Sequence, residues 1–275
     1  MKHIFLFVCL MATTTGAFAQ ENDTDTSTKK RNSISIGSGG VHISINKDAE
    51  KKEKEEDKAF DIHVGMLDLG INYLSDKTNY NDPAVQQYLN VSPELQNENL
   101  FSMRAGKSIN VNVYPVLASY RLLNAKRQRI YIAAGVGLQM YNFRFTKSTT
   151  YINETVPEVV MDTIGFEKNK LGFTFLSVPL MLNFKTKLAK DAWLVYGVGI
   201  TGGYRIASWT KQVSDERGKQ KNHDQFNFNN FNSCITAEFG VDGYFRLYAS
   251  YQVTPLHKDI MDQYPYCIGV RFLGI

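Results

Sequence analysis

The stretch Trp193-Leu194-Val195-Tyr196-Gly197-Val198-Gly199-Ile200-Thr201-Gly202-Gly203-Tyr204-Arg205-Ile206-Ala207 decides the fold. In a strand, successive side chains point to opposite faces. One face here carries Leu194, Tyr196, Val198, Ile200, Tyr204 and Ile206; the other carries Val195, Gly197, Gly199, Thr201, Gly203 and Arg205. Aliphatics and tyrosines on one side, with glycines and a charge on the other, suit the wall of a small closed barrel, crowded inside and bathed in lipid outside. A lipocalin-like or sandwich strand fits the same residues. The decision therefore rests on recurrence along the chain.

The pattern does recur. Phe60–Leu74 sets Leu67, Leu69, Ile71 and Tyr73 against Met66, Asp68, Gly70 and Asn72, with Ile62 and Val64 out of phase, which predicts a bulge near Gly65. Lys107–Leu123 is a second strand, its phase broken by Pro115. Arg129–Phe145, Lys170–Leu188 and Ala192–Lys211 follow, then Asn229–Val241, Tyr244–Thr254 and Tyr264–Ile275. Between them lie long polar connections at Ser75–Ala105, Thr146–Asn169 and Gln212–Phe228, and a middling one at Pro255–Gln263. Asn124–Gln128, Ala189–Asp191 and Asp242-Gly243 are short. About eight strands with long and short connections sorted to opposite ends match an outer-membrane barrel, whose turns are short on the periplasmic side. A soluble sandwich has no reason to sort its loops.

The ends of the chain agree. Lys2, the apolar run Ile4–Met11 and Ala17-Phe18-Ala19 form a secretory signal, with the mature chain expected to begin near Gln20. No later apolar run is long enough for a spanning helix, so entry into a membrane requires a closed barrel. The last strand alternates Tyr266, Ile268, Val270 and Phe272 with Cys267, Gly269 and Arg271. Its aromatic lies at Phe272, not at the final position usual for a barrel-assembly signal. Three segments result: a signal at 1–19, an N-terminal extension at 20–59 and a barrel domain at 60–275. Within the extension, Ser33–Ile36 and Val41–Ile45 flank Gly37-Ser38-Gly39-Gly40 as a hairpin would, and Lys47–Lys58 is a dense charge run. Seventeen Phe, fifteen Tyr and twenty Gly with a net charge of +4 give no cause to expect nucleic-acid binding. The expected fold is therefore all-β, an up-and-down antiparallel transmembrane β-barrel with a short periplasmic extension.

Several short motifs add a resemblance. They are Lys107-Ser108-Ile109-Asn110-Val111 with Tyr114-Pro115, Ala134-Gly135-Val136-Gly137-Leu138, and Val178-Pro179-Leu180. Ala249-Ser250-Tyr251 with Thr254-Pro255-Leu256, and the ending Ile268-Gly269-Val270, follow in the same order. Together they resemble the outer-membrane β-barrel proteins of Bacteroidetes, the PorT-like group, over Phe60 to Ile275. The resemblance implies fold and location. Some relatives take part in protein secretion across the outer membrane, and the pattern carries no catalytic residues, cofactor or metal.

Chemistry read independently is sparse. His42, His63, His223 and His257 lack metal-ligand spacing, and no nucleophile elbow, phosphate loop or dinucleotide fingerprint is present. His223-Asp224 is one adjacent acid–His pair in an external loop, the place where barrel proteases keep such pairs. Gly197–Gly203 makes room inside a narrow barrel. Six charges fall on lumen-facing positions: Asp68, Lys185, Arg205, Glu238, Arg246 and Arg271. They are expected to pair into a structural network that plugs the lumen. Cys234 and Cys267 both face inward on strands separated by a third, too far apart to bridge. The expected function is a non-enzymatic structural or interaction role in the cell envelope, with a narrow pore and a barrel hydrolase as alternatives. The expected partners are outer-membrane lipid, the barrel-assembly machinery, and a periplasmic or secretion-system protein.

Overall fold

The computed structural model describes residues 33–37, 40–44, 59–153, 156–189 and 192–273. The signal segment, the Lys47–Lys58 charge run, Gly274 and Ile275 lie outside the described residues. Strands β1 (Ser33–Gly37) and β2 (Gly40–Ser44) pair antiparallel. Next come β3 (Phe60–Asp76), helix α1 (Pro83–Tyr88), the two-residue β4 (Leu89–Asn90), β5 (Ile109–Asn124) and β6 (Gln128–Phe145). After these lie β7 (Thr149–Asn153), β8 (Pro157–Met161), β9 (Lys168–Lys187), β10 (Trp193–Ser214) and β11 (Gly218–His223). The last three are β12 (Phe231–Val241), β13 (Arg246–Gln252) and β14 (Gln263–Leu273).

β3, β5, β6, β9, β10, β12, β13 and β14 run antiparallel around a ring in that order. β14 returns to β3 from Gln263↔Asp76 to Leu273↔Met66, so no edge is left open. These are the strands expected from the alternation. β3 does change phase at Gly65, which has φ of +80°, a conformation that favours glycine. The register shift itself, however, falls between β5 and β6, around Tyr114 and Pro115. β5 changes phase opposite Gly65, because Pro115 cannot donate to the ladder. The bulge thus belongs to β5, a correction to the sequence reading.

Outward positions carry an apolar ring. Leu69, Val136, Val178, Ile200, Ile235, Leu247 and Ile268 are all exposed on the wall. A soluble protein rarely shows so large a continuous apolar surface, whereas a lipid-facing barrel requires it. Aromatic pairs mark its borders, two of them stacked and Tyr204–Phe231 edge-on. Phe184 and Tyr196, with centroids 5.2 Å apart, sit toward the short-turn end. Tyr204–Phe231 and Tyr73–Tyr266, each at 5.1 Å, sit toward the loop end. The strand rise and tilt of such barrels put Tyr196 and Tyr204 about 20 Å apart along the membrane normal.

Inside, the glycines do admit neighbours: the Tyr114 ring fills the place of a side chain at Gly137, and Asn232 does so at Gly203. Ring closure depends on another close approach. Gly269 on β14 pairs with Gly70 on β3, and a methyl at 269 would overlap the Leu69 carbonyl oxygen and the Gly70 Cα. Gly269→Ala is therefore expected to cost about 1–3 kcal/mol, since backbone must move to admit it. Gly202→Ala, with open space around it, is expected to be neutral within about 0.5 kcal/mol. Urea midpoints of the two refolded variants check this. Equal stability would mean that the Gly70–Gly269 approach does not limit closure.

The long connections differ most from expectation. They are polar in composition, yet their undersides are apolar. α1 is capped by the Asp82 carboxylate, which accepts from the Ala84 N–H, and it begins with Pro83 at a favourable first position. It turns Val85 and Tyr88 inward. β7 and β8 form a hairpin, and β4 joins β8 in parallel. β10 runs on to Ser214 and folds back as β11. The strand expected from Tyr244 begins instead at Arg246, and Tyr244 stands exposed beside the Asp242-Gly243 turn.

Candidate functional site

The lumen has three layers, set by how far along its strand each inward residue lies. The lowest is a cavity of about 590 Å³ at the short-turn end, lined in part by Asp61, His63, Tyr131, Met181 and Trp193. Its roof is a charge cluster. Arg271 on β14 donates from Nε and Nη2 to both oxygens of Asp68 on β3, at 2.7 and 2.9 Å. Its Nη1 reaches Glu238 on β12 at 2.8 Å. Arg246 on β13 holds the other Glu238 oxygen at 2.7 Å. Arg246 also lies 3.5 Å from Asp242, which takes Lys185 of β9 at 2.8 Å. The Arg271 guanidinium stacks 4.6 Å from the Tyr248 ring, and Asn112 bridges Asp68 and Tyr248 at 3.2 Å each.

Five of the six charges assigned to the lumen thus lie in one chain of contacts. Asp242 is the member that sequence reasoning missed, having been placed only in a tight turn. It completes the balance: Asp68, Glu238 and Asp242 against Lys185, Arg246 and Arg271, three charges facing three. A buried ion costs several kcal/mol to desolvate, so such a cluster persists only when every member is paired. Arg205 is the correction. It lies inside the barrel but toward the other end, and among the described residues no carboxylate pairs with it there. Its guanidinium donates to the carbonyl oxygens of Asn229 and Phe228 at 3.0 Å, to Asn230 Oδ1 at 2.8 Å and to Ser208 Oγ at 2.6 Å. It therefore anchors an external loop and does not belong to the plug. The bulge after Arg205 explains why, because it re-aims β10 where the strand leaves the membrane.

Above the charges lies a polar layer of Gln139, Ser177, Asn232 and Cys234. Cys234 and Cys267 are unbridged and buried. Tyr141 Oη lies 3.6 Å from the first sulfur and Ser250 Oγ 3.4 Å from the second. Next comes an aromatic layer. Tyr141, Phe143, Phe173 and Phe175 from β6 and β9 meet Phe228, Tyr151, Leu256 and Met261 from the loops. α1 adds Val85 and Tyr88, and the same connection brings Leu100 and Phe101. The loops are also tied to one another. Asn229 donates to the carbonyls of Pro255 and His257 at 2.9 Å, Asn153 to Asp224 at 2.5 Å, and Arg217 pairs with Asp162 at 2.6 Å.

His257 sits at the centre of this cap. It is fully buried against Phe228, Tyr151 and Tyr88, and neither ring nitrogen has a hydrogen-bond partner. Burial without a partner penalises the imidazolium, pulling the His257 pKa down to about 3 against a small opposing effect of Asp76. His223 and Asp224 are both exposed, and among the described residues no hydrogen bond joins them. The Asp224 carboxylate instead takes Asn153 and the Gln225 N–H. The adjacent pair in sequence is not an assembled acid–His pair in space.

No curated protein matches this chain. Among solved structures it is similar to Ail, the attachment invasion locus protein of Yersinia pestis. That match has 9% identity and a TM-score of 0.27, and covers 76% of this chain and 97% of that one. A family model described as an outer membrane protein β-barrel domain matches residues 18–258, well over half the chain. With the closed ring and its apolar girdle, this match places the protein in the outer membrane, and the chain belongs to the outer membrane protein β-barrel domain family.

Proposed function

We propose that this protein is a non-enzymatic structural or interaction element of the envelope, acting through its folded external cap and its N-terminal extension. The observation that carries this reading is the double closure of the lumen. The charge cluster of Asp68, Glu238, Arg246 and Arg271 fills the barrel below, and the aromatic cap around Phe228 and His257 fills it above. A conducting pore would need a wetted path past both. The loops that form the cap are cross-tied and packed on the barrel's own aromatics, which suits a rigid display surface. The motif resemblance supports a PorT-like relative, with the periplasmic extension facing a secretion-system protein.

The test is conductance of the purified protein in a planar bilayer, with hydrolase assays on the same sample. The expected result is no stable current step and no turnover. Steady channel events would replace this reading with the narrow pore. Turnover lost in His223→Ala would replace it with a barrel hydrolase.

A further inference from the structure

Past the lipid-facing wall, β6, β9 and β10 run on beyond the membrane, with β11 folded back alongside β10. On the outward face of this extension the ladder aligns cations. Arg144 on β6 pairs with Lys170 on β9, Lys170 with Lys211 on β10, and Lys211 with Lys221 on β11. Four cations thus stand in one row across four neighbouring strands, which are spaced about 4.8 Å apart. In the next row Val213 lies between Lys168 and Lys219. The alternate residues Asn169, Leu171 and Gln212 are buried, so the charged row faces away from the barrel axis.

Like charges directly opposite each other in a ladder are destabilising. Among the described residues none of the six cations forms an ion pair with an acid. Lys170 stands in the field of Lys168, Arg144 and Lys211, and Lys211 in that of Lys219, Lys168 and Lys221. Arg144 donates to the Glu167 backbone carbonyl at 2.6 Å, a neutral acceptor.

One row nearer the membrane, about 7 Å along the strand, stands Trp209. Its indole occupies the space that a side chain at Gly172 would fill, and Lys221 Nζ lies 5.0 Å from its ring centre. Below it the outward apolar side chains begin, at Ile206 and Leu176. A tryptophan at the apolar border with cations just above it is the order of chemistry met on passing from acyl chains into headgroups.

We propose that this face is a binding site for the phosphate groups of an anionic outer-leaflet glycolipid, which bridges the cations of β6, β9, β10 and β11. The anion supplies the counter-charge that the row lacks, and its acyl chains continue along the apolar wall below Trp209. That continuity favours a lipid over a soluble polyanion, which would have no use for the border tryptophan.

The test uses the full-length mature protein in zwitterionic detergent with Trp193→Phe, so that Trp209 is the reporting fluorophore. Bisphosphorylated lipid A, dephosphorylated lipid A, inorganic phosphate and soluble polyphosphate are titrated separately. Bisphosphorylated lipid A is expected to shift Trp209 emission saturably and to raise the unfolding temperature. The dephosphorylated lipid should do neither. The Lys170→Gln, Lys211→Gln, Lys221→Gln triple variant should bind the phosphorylated lipid at least tenfold more weakly. In lipid-free detergent the same variant should be at least as heat-stable as the parent, because its row no longer repels itself; this also shows that it folds. Equal binding of the dephosphorylated lipid, or undiminished binding by the triple variant, overturns the proposal. So does reproduction of the full shift by inorganic phosphate, or tighter binding of polyphosphate than of lipid.

Discussion

Replacing Arg271 by Met is expected to destabilise the barrel by about 3–5 kcal/mol, the cost typical of breaking a buried ion pair from one side. Arg271 donates to both oxygens of Asp68 and to Glu238, and its side chain is 3% exposed, with those of its partners at 0% and 1%. Without it the two carboxylates face one lumen without their shared cation. Among the described residues Asp68 then keeps the Asn112 amide, and Glu238 keeps Arg246. The urea midpoint of the refolded barrel measures the loss. The double variant Arg271→Met, Asp68→Asn should recover more than half of it, because it leaves Glu238 and Asp242 facing Arg246 and Lys185, a balanced cluster in which every remaining ion is paired. A single-variant loss under about 1 kcal/mol would mean that the cluster does not hold the lumen together. Neither variant is expected to conduct, since the aromatic cap lies above the cluster and is unaffected.

Acid should open the cap from above. The opened state gives His257 its ordinary pKa of about 6.5, whereas the closed cap holds it at about 3. Between these values the open state binds the extra proton, so cap stability is complete above about pH 6.5 and falls as pH is lowered toward 3. The linkage amounts to about 3 kcal/mol by pH 4.5 and about 4 kcal/mol by pH 3. Amide hydrogen exchange in the 77–108 and 253–262 connections, compared at pH 7 and pH 4.5, reads it directly once corrected for intrinsic rates. His257→Phe keeps an aromatic ring against Tyr88, Tyr151 and Phe228 and should flatten the dependence in this window. A pH response that survives in His257→Phe would assign the opening to another group.

Strand identity and facing are local properties, and they were readable in advance. Alternation from Leu194 to Arg205 assigns each side chain to lipid or lumen, because a strand has only two faces. The even count and the sorted loops then close the ring, since lipid tolerates no open edge. The same alternation placed Asp68, Lys185, Glu238, Arg246 and Arg271 inside the barrel. Which of them touch is a different matter. That depends on stagger between strands far apart in sequence, so only the closed ring could bring Asp242 to Lys185 and carry Arg205 away to the cap. The loops show the same limit, because their apolar residues are scattered among polar ones without a period. Tyr88, Phe101, Tyr151 and His257 become a core only when the barrel mouth supplies Phe143, Phe173 and Phe175 for them to pack on. The cation row is likewise invisible along the chain, where Arg144, Lys170, Lys211 and Lys221 are widely separated. Cross-strand register alone sets them side by side, because hydrogen-bonded strands lie closer together than their charges would choose.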